Sequence, residues 1–255
     1  MLEIGKDVTI EEGAYIKVKH GFIGDRSIIR SGAHIEGTSV ELGIESYLDH
    51  GAVIGGGSCW DSEASLKAGC WLHMGQNSQL NIARGIVVGE QVGIGVETKI
   101  FTHGAYLPLD QGFPTEWGSV LIGDNVWLPN AWVNPGVVIG DNVVVAARSL
   151  INTELPAGCF AAGTPAVVIK EHAYPVFMAA DVVKEMLDKV LFGLDAIVAS
   201  QDGLVRVFSD AAIFMVTERR VQGFATCESE LVRNQLRRNG IRFKYHTAKG
   251  EYKLW

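Results

Sequence analysis

Residues 23–35, IGDRSIIRSGAHI, and residues 133–151, VNPGVVIGDNVVVAARSLI, carry an aliphatic side chain at every sixth position. Ile23, Ile29 and Ile35 mark the first stretch, and Val133, Ile139, Val145 and Ile151 the second. The same interval joins Ile4, Ile10 and Ile16; Leu48, Ile54, Trp60, Leu66 and Leu72; and Ile82, Val88, Ile94 and Ile100. A period of six fits neither an amphipathic helix nor an alternating strand, and it is the signature of a solenoid. Glycine often follows the periodic residue (Gly5, Gly24, Gly55, Gly89, Gly95, Gly123, Gly140). A small or β-branched residue often stands four places after it (Val8, Ala14, Ala33, Ala52, Ser58, Ala64, Val92, Val143). The pattern predicts three short strands per coil, with the large aliphatic residue filling the interior, the glycine making the bend and the small residue packing near a corner.

Six residues per face and three faces give about 18 residues per coil and about eight coils, stacked ~4.8 Å apart. Each strand pairs only with the coils above and below, so the terminal edges need a cap. The hexads slip around residues 76–81 and break over residues 101–120, FTHGAYLPLDQGFPTEWGSV. A loop of that length inside a compact repeat is a functional candidate. Regularity returns with IGDNVW at 122–127, shortens by one residue between Leu128 and Val133, and ends near Pro156. Residues 171–255 lose the hexad. There Val182, Val183, Met186, Leu187, Val190 and Leu191 recur at helical spacing and predict an amphipathic helix over 176–192. Strands are predicted at 204–208, 212–216, 221–224 and 241–245, and a second helix over 228–238 ended by Gly240, which makes a small α+β appendage.

With 255 residues and 47% hydrophobic content, the chain can bury a substantial core. Charge is unevenly spread: residues 1–170 hold 10 Lys+Arg against 18 Asp+Glu, a balance of −8, and residues 171–255 hold 12 against 11, a balance of +1. So acidic a solenoid is unsuited to coating nucleic acid, which needs clustered cations. The basic run Arg233, Arg237, Arg238, Arg242 and Lys244 is interleaved with Glu228 and Glu230 and reads as a solvated helix face. Cys59, Cys70, Cys159 and Cys227 show no paired metal spacing and read as reduced packing residues. No stretch approaches a spanning helix, and the repeat begins by Ile4, so neither a signal peptide nor a membrane anchor is expected and a cytoplasmic location is the default.

Residues 122–170, IGDNVWLPNAWVNPGVVIGDNVVVAARSLINTELPAGCFAAGTPAVVIK, closely resemble the terminal coils of the hexapeptide-repeat acyltransferases, in particular the maltose, galactoside and polysaccharide O-acetyltransferase branch. The combination IGDNVW, NPGVVIGDN, VVAARSLI, Pro156 and GTPAVVIK carries the likeness, which extends over residues 1–172 and excludes the appendage. The resemblance implies a mainly β, left-handed parallel β-helix over 1–170 with an α+β cap over 171–255. The hand comes from the resemblance alone, since parallel crossovers generally favour the opposite one. It further implies a homotrimer with active sites between neighbouring prisms, acetyl-CoA lying along the terminal coils, a sugar or sugar-nucleotide acceptor, and no metal. His103, in IFTHGAY, matches the catalytic histidine of the family. Imidazole suits that role, because acyl transfer from a thioester needs a base with a pKa near working pH. Asp110 and Glu116 in the same loop are candidates to orient it. Ala147, Arg148, Ser149, Ala162, Thr164 and Lys170 match the coenzyme A positions, with Arg148 standing where the motif usually has glycine. Trp127 is placed near the thioester channel and Asn81 against the acceptor sugar.

Two other classes share the shape. A metal-dependent carbonic anhydrase on the same prism needs three converging histidines. His20, His34, His50, His73, His103, His172 and His246 include no closely spaced pair after the slip. A non-catalytic scaffold would keep the prism without the chemistry, and the retention of His103 beside an intact terminal-coil motif argues against it.

Overall fold

The computed structural model describes residues 1–56 and 61–254, and the chain divides into two compact units, Met1–Pro175 and Val176–Trp255. Ser58, Cys59 and Trp60 lie outside the described residues.

The first unit is a parallel β-helix whose interior is three rows of stacked side chains. One row runs Ile4, Ile23, Leu42, Ala68, Val88, Ile122 and Ile139, and Leu155 joins it through a single bridge. The second runs Ile10, Ile29, Leu48, Met74, Ile94 and Leu128 and continues through Val145 and Ala161. The third runs Ile16, Ile35, Ile54, Leu80, Ile100, Val133 and Ile151. From the second coil onward every member is buried, and each Val, Leu, Ile or Met among them is worth about 1.5–3 kcal/mol when fully removed from water. The first coil departs from the expected interior: Ile4 and Ile10 are 52% and 39% exposed, because nothing among the described residues stacks above them.

The strict hexad count misses part of this register. Successive members of the first row lie 19, 19, 26, 20, 34 and 17 residues apart, since coils take extra corner residues and insertions. Leu42, Ala68, Met74 and Leu80 therefore occupy row positions. Leu66 aligns instead with Val40, Ile86 and Val120, a second inward residue on the same strands.

The glycine after a row residue does not make the bend. Two places later Asp7, Arg26, Glu45, Trp71, Gln91, Asn125 and Asn142 adopt φ of 52–62° and turn the chain. The glycine is required for close approach: a Cβ at Gly123 would stand 2.2 Å from Asp141 Oδ1, and one at Gly24 would stand 2.5 Å from the Gly43 carbonyl carbon. The aspartate of the GD step then ties coil to coil, as the carboxylates of Asp25, Asp124 and Asp141 accept the backbone N–H of Lys6, Glu90 and Asp124. Cys159 is buried, which pushes its thiol above the usual value, and Cys70 is half-buried. Cys227 is exposed, so the packing reading fails for it.

The β-helix unit reaches Pro175, because the backbone N–H groups of Ala173 and Tyr174 donate to the Gly158 carbonyl and hold the chain past Lys170. In the second unit helix α1, Ala180–Val190, is shorter than the 176–192 expected, and it buries Leu187 while Val182 and Met186 stay exposed. A four-stranded antiparallel meander follows: Ile197–Gln201, Leu204–Phe208, Ala212–Met215 and Arg220–Gly223. Helix α2, Cys227–Arg238, starts at a capping box between Thr226 and Ser229. The strand expected over 241–245 begins only at Tyr245 and pairs with Glu251–Leu254, a partner the periodicity did not reveal. Phe214, Tyr245, Phe243 and Leu236 form the core of this unit. Among the described residues no helix is long and apolar enough to cross a membrane, and no three His, Cys, Asp or Glu side chains group to hold a metal ion.

Candidate active site

The 101–120 segment leaves the solenoid after Lys99–Ile100 and returns at Val120–Ile122. Its stem is a short antiparallel pair in which His103 stands opposite Trp117 and Gly104 opposite Glu116. The Gly118 N–H donates to the Thr102 carbonyl and closes the base. At the tip a 3₁₀ turn, Leu109–Gln111, is ended by Gly112 at φ 79°. Tyr106, Leu107 and Leu109 are exposed there.

His103 is half-buried, and its Nδ1 lies 3.1 Å from Asn81 Oδ1. The same oxygen accepts the Ala83 N–H at 3.3 Å, which identifies it as the carbonyl end of the amide. Nδ1 must then carry a proton and donate it to Oδ1, so that in the neutral ring the lone pair is on Nε2. Asn81 is itself held: it is 9% exposed, its backbone carbonyl accepts the Thr102 hydroxyl at 2.7 Å, and Gly56 leaves it room, since a Cβ there would fall 2.5 Å from the amide.

Trp117 stacks on the imidazole with centroids 4.8 Å apart and planes 16° from parallel. The Arg84 guanidinium lies 4.4 Å from the indole centroid and pairs with Glu63 at 2.8 Å. The Arg84 N–H donates to Thr102 Oγ1, 2.9 Å away.

Asp110 sits in the tip turn and Glu116 faces Gly104; both are exposed, and among the described residues neither bonds the imidazole. The side chain that bonds the ring is Asn81, through its Oδ1. Trp127 stands on another face, 43% exposed, with its ring over Gly93. Ala147, Arg148, Ser149, Ala162 and Thr164 do meet at one corner. Thr164 Oγ1 donates to the Arg148 carbonyl at 3.1 Å, and Ser149 Oγ accepts the Gly163 N–H at 3.1 Å. Ser149 is 2% exposed and joins the last coils, whereas Ala147 and Arg148 face outward. Arg148 has φ 61°, the backbone conformation that favours the glycine usual in the motif. Lys170 pairs with Phe160 at the far end of the hairpin from Gly163 and is not part of that corner.

Trp117, Arg84 and Glu63 escape the sequence reading. Only the hairpin register and the stacking of coils bring residues so far apart in the chain together, and no local spacing encodes that.

No family model matches the chain. Over 129 residues it is 30% identical to galactoside O-acetyltransferase of Escherichia coli (strain K12), covering 47% of this chain and 64% of that one. Over 108 residues it is 35% identical to the putative colanic acid biosynthesis acetyltransferase WcaF of the same organism, covering 42% and 59%. The chain thus spans less than two thirds of either relative. Among solved structures, the N-acyltransferase AntD of Bacillus cereus aligns with a TM-score of 0.48 and 20% identity over 73% of this chain and 88% of that one. By its repeats, its terminal-coil motifs and these relatives, the chain resembles the hexapeptide-repeat acetyltransferases.

Proposed function

We propose that this protein transfers an acetyl group from acetyl-CoA to a hydroxyl or amine of a sugar or sugar nucleotide, in the building of cell-surface polysaccharide, with His103 as general base. The observation that carries this reading is the Asn81–His103 contact, which in the neutral imidazole puts the proton on Nδ1 and the lone pair on Nε2. Nε2 takes the proton of the acceptor as its oxygen or nitrogen attacks the thioester carbonyl. The imidazolium then returns that proton to the departing sulfur. Acetyl-CoA supplies the activated acyl group. The outward corner of Ala147, Arg148, Ala162 and Thr164 suits it: small side chains admit a chain-like ligand, and the Arg148 guanidinium offers charge to a phosphate. The relatives named for galactoside and colanic acid support a sugar acceptor. Dependence on acetyl-CoA favours the cytoplasm.

One copy does not complete this site. His103 follows strand Lys99–Ile100, whereas Ala147–Ser149 precede Leu150–Ile151, and these strands share one face in parallel. The base and the coenzyme corner therefore sit at opposite edges of that face. A head-to-tail ring, in which the base of one copy meets the corner of the next, joins them and closes as a homotrimer.

His103→Ala should lower kcat by roughly 10²- to 10⁴-fold while coenzyme A affinity and melting temperature hold. Turnover, coenzyme A binding and melting are measured on the same variant, and near-normal turnover in a folded protein removes His103 from the mechanism.

A further inference from the structure

We propose that Trp117, clamped by Arg84, is a positioning residue that sets the ring plane of His103. This rests on the reading of His103 as the base. A histidine ring turns freely about its outer torsion, which is broad and roughly two-fold. The Asn81 bond selects the tautomer and anchors one nitrogen, but a single hydrogen bond leaves the ring free to tilt about the N···O line. The indole removes that freedom by lying nearly parallel to the imidazole at 4.8 Å. With Nδ1 bonded and one ring face covered, Nε2 is left to meet the acceptor.

The indole needs its own support, because Trp117 sits on the stem of an exposed loop and is itself 49% exposed. Arg84 supplies it. The guanidinium lies 4.4 Å from the indole centroid and is held from two sides, by Glu63 at 2.8 Å and by the Ala83 carbonyl at 3.0 Å. The Arg84 backbone is pinned to Thr102 Oγ1, the residue before the histidine, so clamp and base share one anchor. Half-exposed Trp117 contributes nothing to the buried interior of the β-helix, which distinguishes it from a packing tryptophan.

Two measurements test this. In ¹⁵N-histidine-labelled protein, the His103 ring protons should resonate upfield under the indole ring current. They should return to ordinary positions in Trp117→Ala, stay shifted in Trp117→Phe, and move part of the way in Arg84→Gln. Turnover of acetyl-CoA, with p-nitrophenyl β-D-galactoside as the acceptor probe, should show kcat down roughly 10- to 100-fold in Trp117→Ala, the cost of misplacing a reacting group by about an ångström. The KM for acetyl-CoA should be unchanged, and Trp117→Phe should recover most of the loss. Ring protons at ordinary positions in the wild type, or unmoved in Trp117→Ala, overturn the proposal. So does an unchanged kcat in Trp117→Ala when His103→Ala has lost turnover. Turnover retained in His103→Ala instead removes the base, and the ring-current shifts then decide the clamp alone.

Discussion

At Asn81 Oδ1 the imidazole Nδ1–H and the Ala83 N–H converge, with the Thr102 hydroxyl 3.4 Å away. The two N–H donors commit the amide to one orientation and the neutral histidine to one tautomer, while the Thr102 hydroxyl donates its proton to the Asn81 backbone carbonyl. Asn81→Ala removes that commitment. Stability should fall by about 1–2 kcal/mol as buried donors lose their acceptor. Turnover should fall further than stability alone accounts for, by about 10- to 100-fold. That is less than the ~10⁴-fold cost of a locked wrong tautomer, because the freed ring still visits the productive form. Comparing kcat with denaturant unfolding of the same variant checks this, and a variant as active as the wild type would show that the amide does not direct the base. Asn81 is also the residue whose bond to His103 the sequence left unread, since its position in the hexad slip says nothing about which way its amide faces.

The β-helix behaves as a stack of layers, and a residue's worth depends on how many layers it touches. Ile94 lies between Met74 and Leu128 and is 0% exposed, whereas Ile10 has only Ile29 below it and is 39% exposed. Ile94→Ala should therefore cost about 2–5 kcal/mol, the range for a buried large-to-small change. Ile10→Ala should cost well under half as much. Urea unfolding of the two variants decides it, and equal losses would mean that the first coil is covered in solution. The identical hexad spacing of the two isoleucines hides this difference, because a terminal layer and a middle layer read alike in the chain.

For the whole molecule, the proposed ring is the property that local structure does not supply. His103 and the Ala147–Ser149 corner occupy opposite edges of one face of the first unit, so under the proposed function a chain that acts alone has no complete site. Light scattering at micromolar concentration should give three times the 27.6 kDa chain mass. A monomer would sink the shared site and leave His103 without a coenzyme partner.

The hexads were enough to announce the solenoid, its approximate number of coils and the long loop, because a stacked layer must repeat its apolar side chain at every turn, but they stop near Pro156 while the second row runs on to Ala161. Pro135, Gly136 and the GD steps carried the resemblance, the GD steps because each coil repeats the same close approach and the same carboxylate bond to the coil before it. The periodicity alone misassigned the glycines, since close approach between coils, unlike a bend, is a relation between residues about a coil apart. It also left Leu42 and Met74 out of the rows, because corner insertions shift the count. The partnership of His103 with Asn81, Trp117 and Arg84 was decided only by tertiary structure. Those four come from three places in the chain, and the hairpin register and the coil above bring them together where no spacing along the sequence records it.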